Sequence, residues 1–393
     1  MSNHKLSDEL RVRLTLARFD PMKKGKPPAS YRGLAQSIKG TKLSEKTVQK
    51  AITEAFKKGL ISVVAAKSLE YRREHALEEQ LLERFRDLQM AIVISTDNKE
   101  DVHKSLGHAL AQQIHESKFM FRAGDIIGLG TGRGIHYTIE NLVDLTQVPV
   151  ENITIMSLTG SLFPQGVSNN LDYLLDADTN AALFTKHFRG LIQVRPISYP
   201  IAHQEAARKI LTKETWLSPD EYAAHTPTLA IIGLGVLTGN NRLVQEVQRP
   251  ADAKSPVLKP VYTYLQSIIT EVESIKKEYN GYCAVGDCCN RLFIIPPPAD
   301  INERIIPRLK KTLKPLIDTV NECTITATEE QLRMIKNVIL VAGGSEKASG
   351  ILCVLTKESG NISGILQEVP RIDGICIDKE SAEFILQRPD NNA

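Results

Sequence analysis

The spacing of apolar positions changes character twice along this chain. Over residues 6–19, Leu6, Leu10, Val12, Leu14, Leu16 and Phe19 predict a first helix, and the proline- and lysine-rich run 20–28 predicts a loop. A second helix is expected from about residue 30 to 38, with Leu34, Ala35 and Ile38 on one face. Residues 40–43 make a turn, Ser44 has the character of an N-cap, and Thr47, Val48, Ala51, Ile52, Ala55 and Phe56 follow at helical spacing. Gly59 ends that helix, and the β-rich run 60–64 predicts the first strand of a wing. Residues 1–66 therefore read as a winged helix-turn-helix, a DNA-binding module. Residues 67–90 read as a charged helical linker whose Leu77, Leu81, Phe85 and Leu88 form a narrow apolar stripe. The stripe packs either on its own domain or on the same helix of a second subunit.

From residue 91 to 393 the pattern alternates short β-rich runs with helical ones. Strands are predicted at 91–95, 126–130, 153–158, 191–197, 229–234, 292–295, 338–342 and 374–377. Such alternation implies an α/β domain, a Rossmann-like and mostly parallel sheet covered on both faces. Ligands of these sheets bind at the carboxyl ends of the strands.

Charge separates the two parts. Residues 1–67 hold 15 Lys and Arg against five Asp and Glu, a net +10, whereas the remainder holds 34 against 41, a net −7. A basic head on an acidic body is expected when the head alone meets a polyanion. In a winged helix-turn-helix the start of the second helix enters the major groove. Lys42, Ser44, Lys46, Thr47, Gln49 and Lys50 would then face DNA, with Val48, Ala51, Ile52 and Ala55 turned inward. The six cysteines show no zinc-ligand spacing, so neither metal nor cofactor is expected. The start lacks an apolar signal region and no run of 18 apolar residues occurs, which predicts a cytoplasmic protein with structural cysteines.

The clearest chemical motif is the glycine-rich turn Gly128–Gly134, between the apolar run 125–127 and a helical pattern that starts near Ile135. Strand, glycine turn and helix N-terminus together make an anion site, because glycines let backbone N–H groups approach a phosphate closely. Within it, Gly130, Thr131, Gly132, Arg133 and Gly134 are the candidate contacts, Thr131 as a hydroxyl donor and Arg133 as a bidentate clamp. A dinucleotide fold would need an acid at the end of the next strand, and the run 153–158 ends in Thr159, Gly160 and Ser161. A P-loop would need Lys followed by Ser or Thr closing the turn, and none does.

Six blocks in order resemble the SorC-type (SorC/DeoR-like) sugar-binding transcriptional regulators of bacteria. They are LEEQLLERF at 77–85 leading into 91–94, IGLGTGR at 127–133 and LAIIGLG at 229–235, then AVGDCCNRLF at 284–293, VAGGSEKASGIL at 341–352 and IDKESAEFIL at 377–386. The resemblance implies a sugar-phosphate (effector) domain over residues 91–393, related in architecture to sugar-phosphate isomerases. It also implies a homo-oligomer, dimer or tetramer, on operator DNA, with no membrane partner. It gives Asp287 the sugar hydroxyls, Lys347 the region of the phosphate, and Arg291 a secondary role. Asp287 follows a glycine and would sit at a turn. Two departures stand out: the family usually carries Thr where Gly134 stands, leaving His136 or Thr138 to compensate, and residues 241–280 and 296–333 exceed the family length.

The glycine turn also resembles the loop of pentose-phosphate isomerases, which makes a sugar-phosphate isomerase or deaminase-like enzyme the competing reading. Those enzymes need a carboxylate placed to shuttle a proton, in an acidic block that is absent here. The sequence thus points to a non-catalytic regulator, with a small phosphorylated sugar or polyol as its effector.

Overall fold

Two helices form where the apolar spacing of the first 66 residues put them: α1 (Tyr31–Ser37) and α2 (Glu45–Lys57). A computed structural model of the protein describes residues 11, 14, 30–37, 44–57, 71–97, 102–116, 121–144, 152–160, 176–187, 192–197, 201–237, 241, 243–244, 259–298, 300–356 and 369–388. The chain divides into two units, residues 1–68 and 69–393. In the first unit Ser44 begins α2, its Oγ accepting from the Thr47 amide at 3.1 Å, a helix cap of the expected kind. Val48, Ala51, Ile52 and Ala55 are buried on one face. Arg11, itself buried, pairs with Glu54 at 2.8 Å and ties residue 11 to α2. The predicted wing strand at 60–64 and most of the first helix lie outside the described residues.

The second unit is a three-layer α/β domain. Its strands are β1 (Tyr71–Arg73), β2 (Met90–Thr96), β3 (Ile126–Leu129), β4 (Ile153–Ser157), β5 (Ile192–Arg195), β6 (Leu229–Val236), β7 (Val285–Cys288), β8 (Arg291–Ile294), β9 (Asn337–Ala342) and β10 (Gly374–Asp378). The helices that follow α2 are α3 (His75–Arg84), α4 (Val102–Glu116), α5 (Arg133–Asp144), α6 (Ala177–Phe184), α7 (Gln204–Lys209), α8 (Pro219–Ala224), α9 (Lys259–Glu278), α10 (Asn302–Arg308), α11 (Lys314–Cys323), α12 (Glu329–Met334), α13 (Ala348–Thr356) and α14 (Lys379–Gln387). Strand order is β1-β2-β10-β9-β6-β3-β4-β5, with a hairpin of β7 and β8 attached to the far end of β6. Seven pairings run from β1 to β5 and leave those two strands at the edges; the six between β2 and β5 are parallel, and β1 pairs antiparallel with β2.

Strand side chains alternate between two cores. Met90, Ile92 and Ile94 join α4, α5 and α6 on one face, while Ala91 and Val93 join the core on the other. Continuous apolar runs in β2, β6 and β9 follow from this double burial. Gly107 lets α4 cross α5 closely, since a Cβ there would stand 2.5 Å from Tyr137 Cβ. The described residues of the segments 241–280 and 296–333 include α9, α10 and α11, and Arg308 on α10 reaches Glu271 at 2.5 Å and Glu278 at 2.8 Å on α9.

Three sequence expectations need correction. Residues 67–90 are not a helical linker, because Tyr71–Arg73 add an edge strand to the sheet before the ten-residue α3. The apolar stripe is consumed within the domain: Leu81 is fully buried and Leu77, Phe85 and Leu88 belong to the same core. It therefore carries no argument for a subunit contact. The run at 292–295 is no parallel strand but the second arm of an antiparallel hairpin, whose first arm the sequence reading missed. Among the described residues no helix is long and apolar enough to cross a membrane, and all six cysteines are unbridged.

Glu78 locks the β1–α3 corner. Its carboxylate accepts from Arg73 Nε at 2.9 Å and the Val93 amide at 3.0 Å, and pairs with His75 at 2.9 Å. Burial pushes this carboxyl up, but the Arg73 and Val93 hydrogen bonds outweigh it and hold it below the ordinary carboxylate value. A depressed carboxyl contributes stability that is complete above its unfolded value and fades as pH falls through the folded one. Glu78→Gln should cost about 1–3 kcal/mol at neutral pH. The gap to the wild type should narrow progressively below about pH 5, as urea denaturation across that range would measure.

Candidate functional site

The order of strands reverses between β3 and β6. From β3 the chain moves outward through β4 and β5, and β6 returns beside β3 to begin the other half. Such a switch point opens a crevice at the strands' carboxyl ends, where open α/β sheets bind ligands. The glycine turn lies there. The Gly130 amide donates to Ile231 O at 2.9 Å, extending the pairing of β3 with β6. Gly132 adopts φ +133°, and its carbonyl accepts the first helical hydrogen bond, from His136 N at 3.0 Å. The amides of Arg133, Gly134 and Ile135 thus form the first turn of α5, the part of a helix that carries partial positive charge.

Close backbone approach makes this arrangement possible. A Cβ at Gly233 would stand 2.7 Å from Thr131 O, and one at Gly134 only 2.6 Å from Val341 Cγ1. Gly134 is therefore a packing glycine that seats α5 on the end of β9. A threonine there, as the family usually has, would need Val341 to give way. Thr138 does not replace the missing hydroxyl, because its own donates to Gly134 O at 2.7 Å. His136 is turned to Asn180 Oδ1 on α6, at 3.1 Å.

The opposite wall comes from β9, β10 and the β7–β8 hairpin. After β9 the loop at Gly343 and Gly344 leads into a single turn, Ser345–Lys347, whose last residue is the candidate lysine. Asp378, buried at the end of β10, fixes that loop by accepting from the Gly344 amide at 2.7 Å. It also caps α14 through the Ser381 amide at 2.9 Å. Asp287 is not at a turn: it lies in β7, paired in register with Gly235 of β6. A Cβ at Gly235 would stand almost on Asp287 Oδ1, so that glycine makes room for the carboxylate. Asn241 Nδ2 donates to the same oxygen at 2.8 Å. The turn of the hairpin is Cys289 and Asn290, at φ +51° and +63°, the two left-handed positions of a tight two-residue connection. Asn290 is buried and donates to Thr159 at 2.8 Å, which anchors the tip beside the glycine loop.

Electrostatics ties these walls together. Burial lowers the Lys347 ammonium below its ordinary value; Glu346, Asp287 and Asp378 oppose that, and Arg133 reinforces it. Arg133, exposed on the first turn of α5, thus acts on Lys347 as a like charge, and Asp287 as an opposite one. Arg291 does not join them. Strand alternation puts it on the other face of the hairpin, where it pairs with Glu329 at 2.9 Å and lines a separate cleft of about 760 Å³. Sequence reasoning missed His103 on the first turn of α4 and Asp378. An Asp at a strand end before a helical run is a capping signal and could have been read. His103 had no local signal, since only the topology brings α4 here.

In the first unit Ser44, Lys46, Gln49 and Lys50 are exposed and Thr47 is half-buried on α2, while Lys42 lies outside the described residues. Lys50 stands 4.0 Å from Glu54, an exposed contact worth only tenths of a kcal/mol.

Residues 70–254 match the family model for a sugar-binding domain. A deoxyribonucleoside regulator of Bacillus subtilis is 23% identical over 331 residues, 84% of this chain and 88% of that one. A sorbitol operon regulator of Klebsiella pneumoniae is 24% identical over 318 residues, 79% of this chain and 82% of that one. The crystal structure of the full-length SorC from Klebsiella pneumoniae shares the fold with a TM-score of 0.52 at 18% identity, over 97% of this chain and 99% of that one. Over most of its length the chain is thus similar to transcriptional regulators of the SorC/DeoR type, and residues 70–254 carry the match to a sugar-binding domain.

The Gly134–Val341 contact has a measurable consequence. Gly134→Ala should destabilise the domain by about 1–3 kcal/mol through overpacking against a stiff β-branched side chain. Adding Val341→Ala should restore part of that loss, because residues in contact do not behave additively. Thermal unfolding of the two single variants and the double variant would measure it.

Proposed function

We propose that this regulator binds operator DNA through residues 1–66 and that a small phosphorylated sugar or polyol, bound at the β3–β6 switch point, controls that binding. One observation carries the ligand class. Arg133, on the first turn of α5, and Asp287, in β7, both act electrostatically on Lys347, so two cations and a carboxylate influence one another at the carboxyl ends of the strands. Amides and cations suit a phosphate dianion, whereas a carboxylate accepts only and suits sugar hydroxyls. A ligand with one strongly anionic end and a hydroxyl-rich body satisfies both. The relatives matched above are named as regulators, and the DNA-binding reading rests on the basic charge of the first unit and the exposed Lys46, Gln49 and Lys50 of α2. Lysines and arginines would hold DNA phosphates, and Ser44, Thr47 and Gln49 would lie near base edges.

In this scheme the ligand favours one subunit arrangement over another and so changes the spacing of paired DNA-binding heads. The case for a dimer or tetramer rests on the symmetry of operators that such heads read, since the apolar stripe of α3 is spent inside the domain. Calorimetric titration tests the ligand site. Asp287→Ala and Lys347→Ala should each weaken binding of the preferred sugar phosphate roughly 10- to 150-fold, the equivalent of about 1.5–3 kcal/mol. The unphosphorylated parent sugars should bind far more weakly to the wild type. Parents binding as tightly as phosphates, or normal binding by both variants, would place the site elsewhere. For the first unit, replacing both Lys46 and Lys50 by Glu should abolish a gel shift on the protein's own promoter, and unchanged binding would remove the assignment.

A further inference from the structure

Gly107 of α4 packs on Tyr137 of α5 and His108 hydrogen-bonds Asn141 at 3.0 Å, so the two helices run side by side. His103, one turn before Gly107 on the same face, lies level with the first turn of α5. It is half-buried on the first turn of α4, one turn before Leu106, which packs against Gly343. A Cβ at Gly343 would be 2.6 Å from Leu106 Cδ1, 3.4 Å from Val102 Cγ2 and 3.5 Å from Asp378 Oδ2, so the start of α4 is seated on the loop that carries Lys347. Among the described residues, the charged groups that act on the imidazole come from three neighbouring elements: Lys347 from the turn after β9, Arg133 from α5 and Asp378 from the end of β10. Two of them are the cations assigned to the phosphate. Asp378 is the counter-charge, and it already holds the Gly344 amide, the Ser381 amide and the Ser381 hydroxyl.

We propose that His103 is a third, conditional cation of this site, neutral before the ligand arrives and protonated by uptake from solvent when a phosphate-bearing ligand binds. The inference rests on the anion-site reading given above and deepens it. Burial, with Lys347 and Arg133 adding to it against Asp378, pushes the free imidazole down to about 4, so at neutral pH it carries no charge. A bound dianion reverses both electrostatic causes. It compensates Lys347 and Arg133 and adds negative charge of its own, and each change favours the imidazolium. Linkage then requires affinity to rise as pH falls through the bound-state value. A permanent third cation would have to be held against Arg133 and Lys347 in the free protein, whereas a histidine supplies the charge only in the complex.

Sulfate is the probe of choice, because it remains a dianion throughout the range in which histidine titrates. The full-length protein, labelled at the histidine ring carbons, is titrated by NMR in chloride and in sulfate at equal ionic strength, with His103→Gln providing the assignment. The expected result is a shift of the loop amides at 130–134 in sulfate together with a rise of the His103 midpoint by at least about one pH unit. If the dianion restores only the ordinary value of about 6.5, sulfate affinity should rise about tenfold from pH 7.5 to pH 5.5. His103→Gln should bind sulfate like the wild type at pH 7.5 and lack most of that rise. His108→Gln, on the same helix but hydrogen-bonded to Asn141 at 3.0 Å, should keep it. Loop shifts with an unmoved His103 midpoint, or a full rise retained by His103→Gln, would overturn the proposal and leave the anion site standing. Loop amides that do not respond to sulfate would overturn the anion site and the proposal with it.

Discussion

The buried carboxylate of Asp378 is the interaction on which the ligand-facing half of this domain depends. It accepts from the Gly344 amide and from the amide and hydroxyl of Ser381, at 2.7, 2.9 and 3.0 Å. One group therefore fixes the loop after β9, the start of α14 and the carboxyl end of β10. Its charge matters as much as its geometry. Lys347 and Arg133 repel one another, and Asp378 and Asp287 are the buried or half-buried anions that offset this. Those anions favour keeping the half-buried Lys347 charged against both its own desolvation and the repulsion of Arg133.

The sheet was largely legible because doubly buried strands leave unbroken apolar runs. β2, β3, β4, β6, β9 and β10 all fall within a residue or two of their predicted bounds. β1 escaped because three residues, two of them arginines, give no period to detect. β7 escaped for a chemical reason: Val285, Gly286, Asp287 and Cys288 read as a turn, and only pairing with Gly235 and Leu234 of β6 makes them a strand. The stripe on α3 shows the limit of periodicity in another way. Leu77, Leu81, Phe85 and Leu88 announce an apolar face, yet nothing in the spacing says whether the covering surface belongs to the same chain.

Of the candidate site, the glycine turn, Asp287 and Lys347 come together, and Arg291 does not. The alternation of a β-strand decides the difference, since Asp287 and Arg291 flank a two-residue turn and project to opposite faces. Gly134 has a second kind of explanation. A resemblance presents it as a lost hydroxyl donor, while the structure presents it as the position where α5 meets Val341. The loss of one donor is thus coupled to how closely the helix N-terminus approaches the strand ends. His103 lay beyond the sequence because α4 follows β2, four strands away from β3 in the order of the sheet.

Segregation of charge along the chain gives the local cluster its weight. The residues after 67 carry a net −7, so the general field of the α/β unit opposes any anionic ligand as well as DNA. Screening at physiological salt limits that field to about 8 Å in water, whereas groups in a partly buried crevice interact with less screening. In the proposed scheme, recognition of a phosphate would therefore come from the immediate surroundings: the first-turn amides of α5, Arg133, Lys347 and the imidazole of His103. The same acidity discourages the strand ends from competing for nucleic acid phosphates, which leaves that task to the basic first 67 residues. In the proposed scheme, an effector site and a DNA-binding surface that both select phosphate would thereby be kept from exchanging ligands.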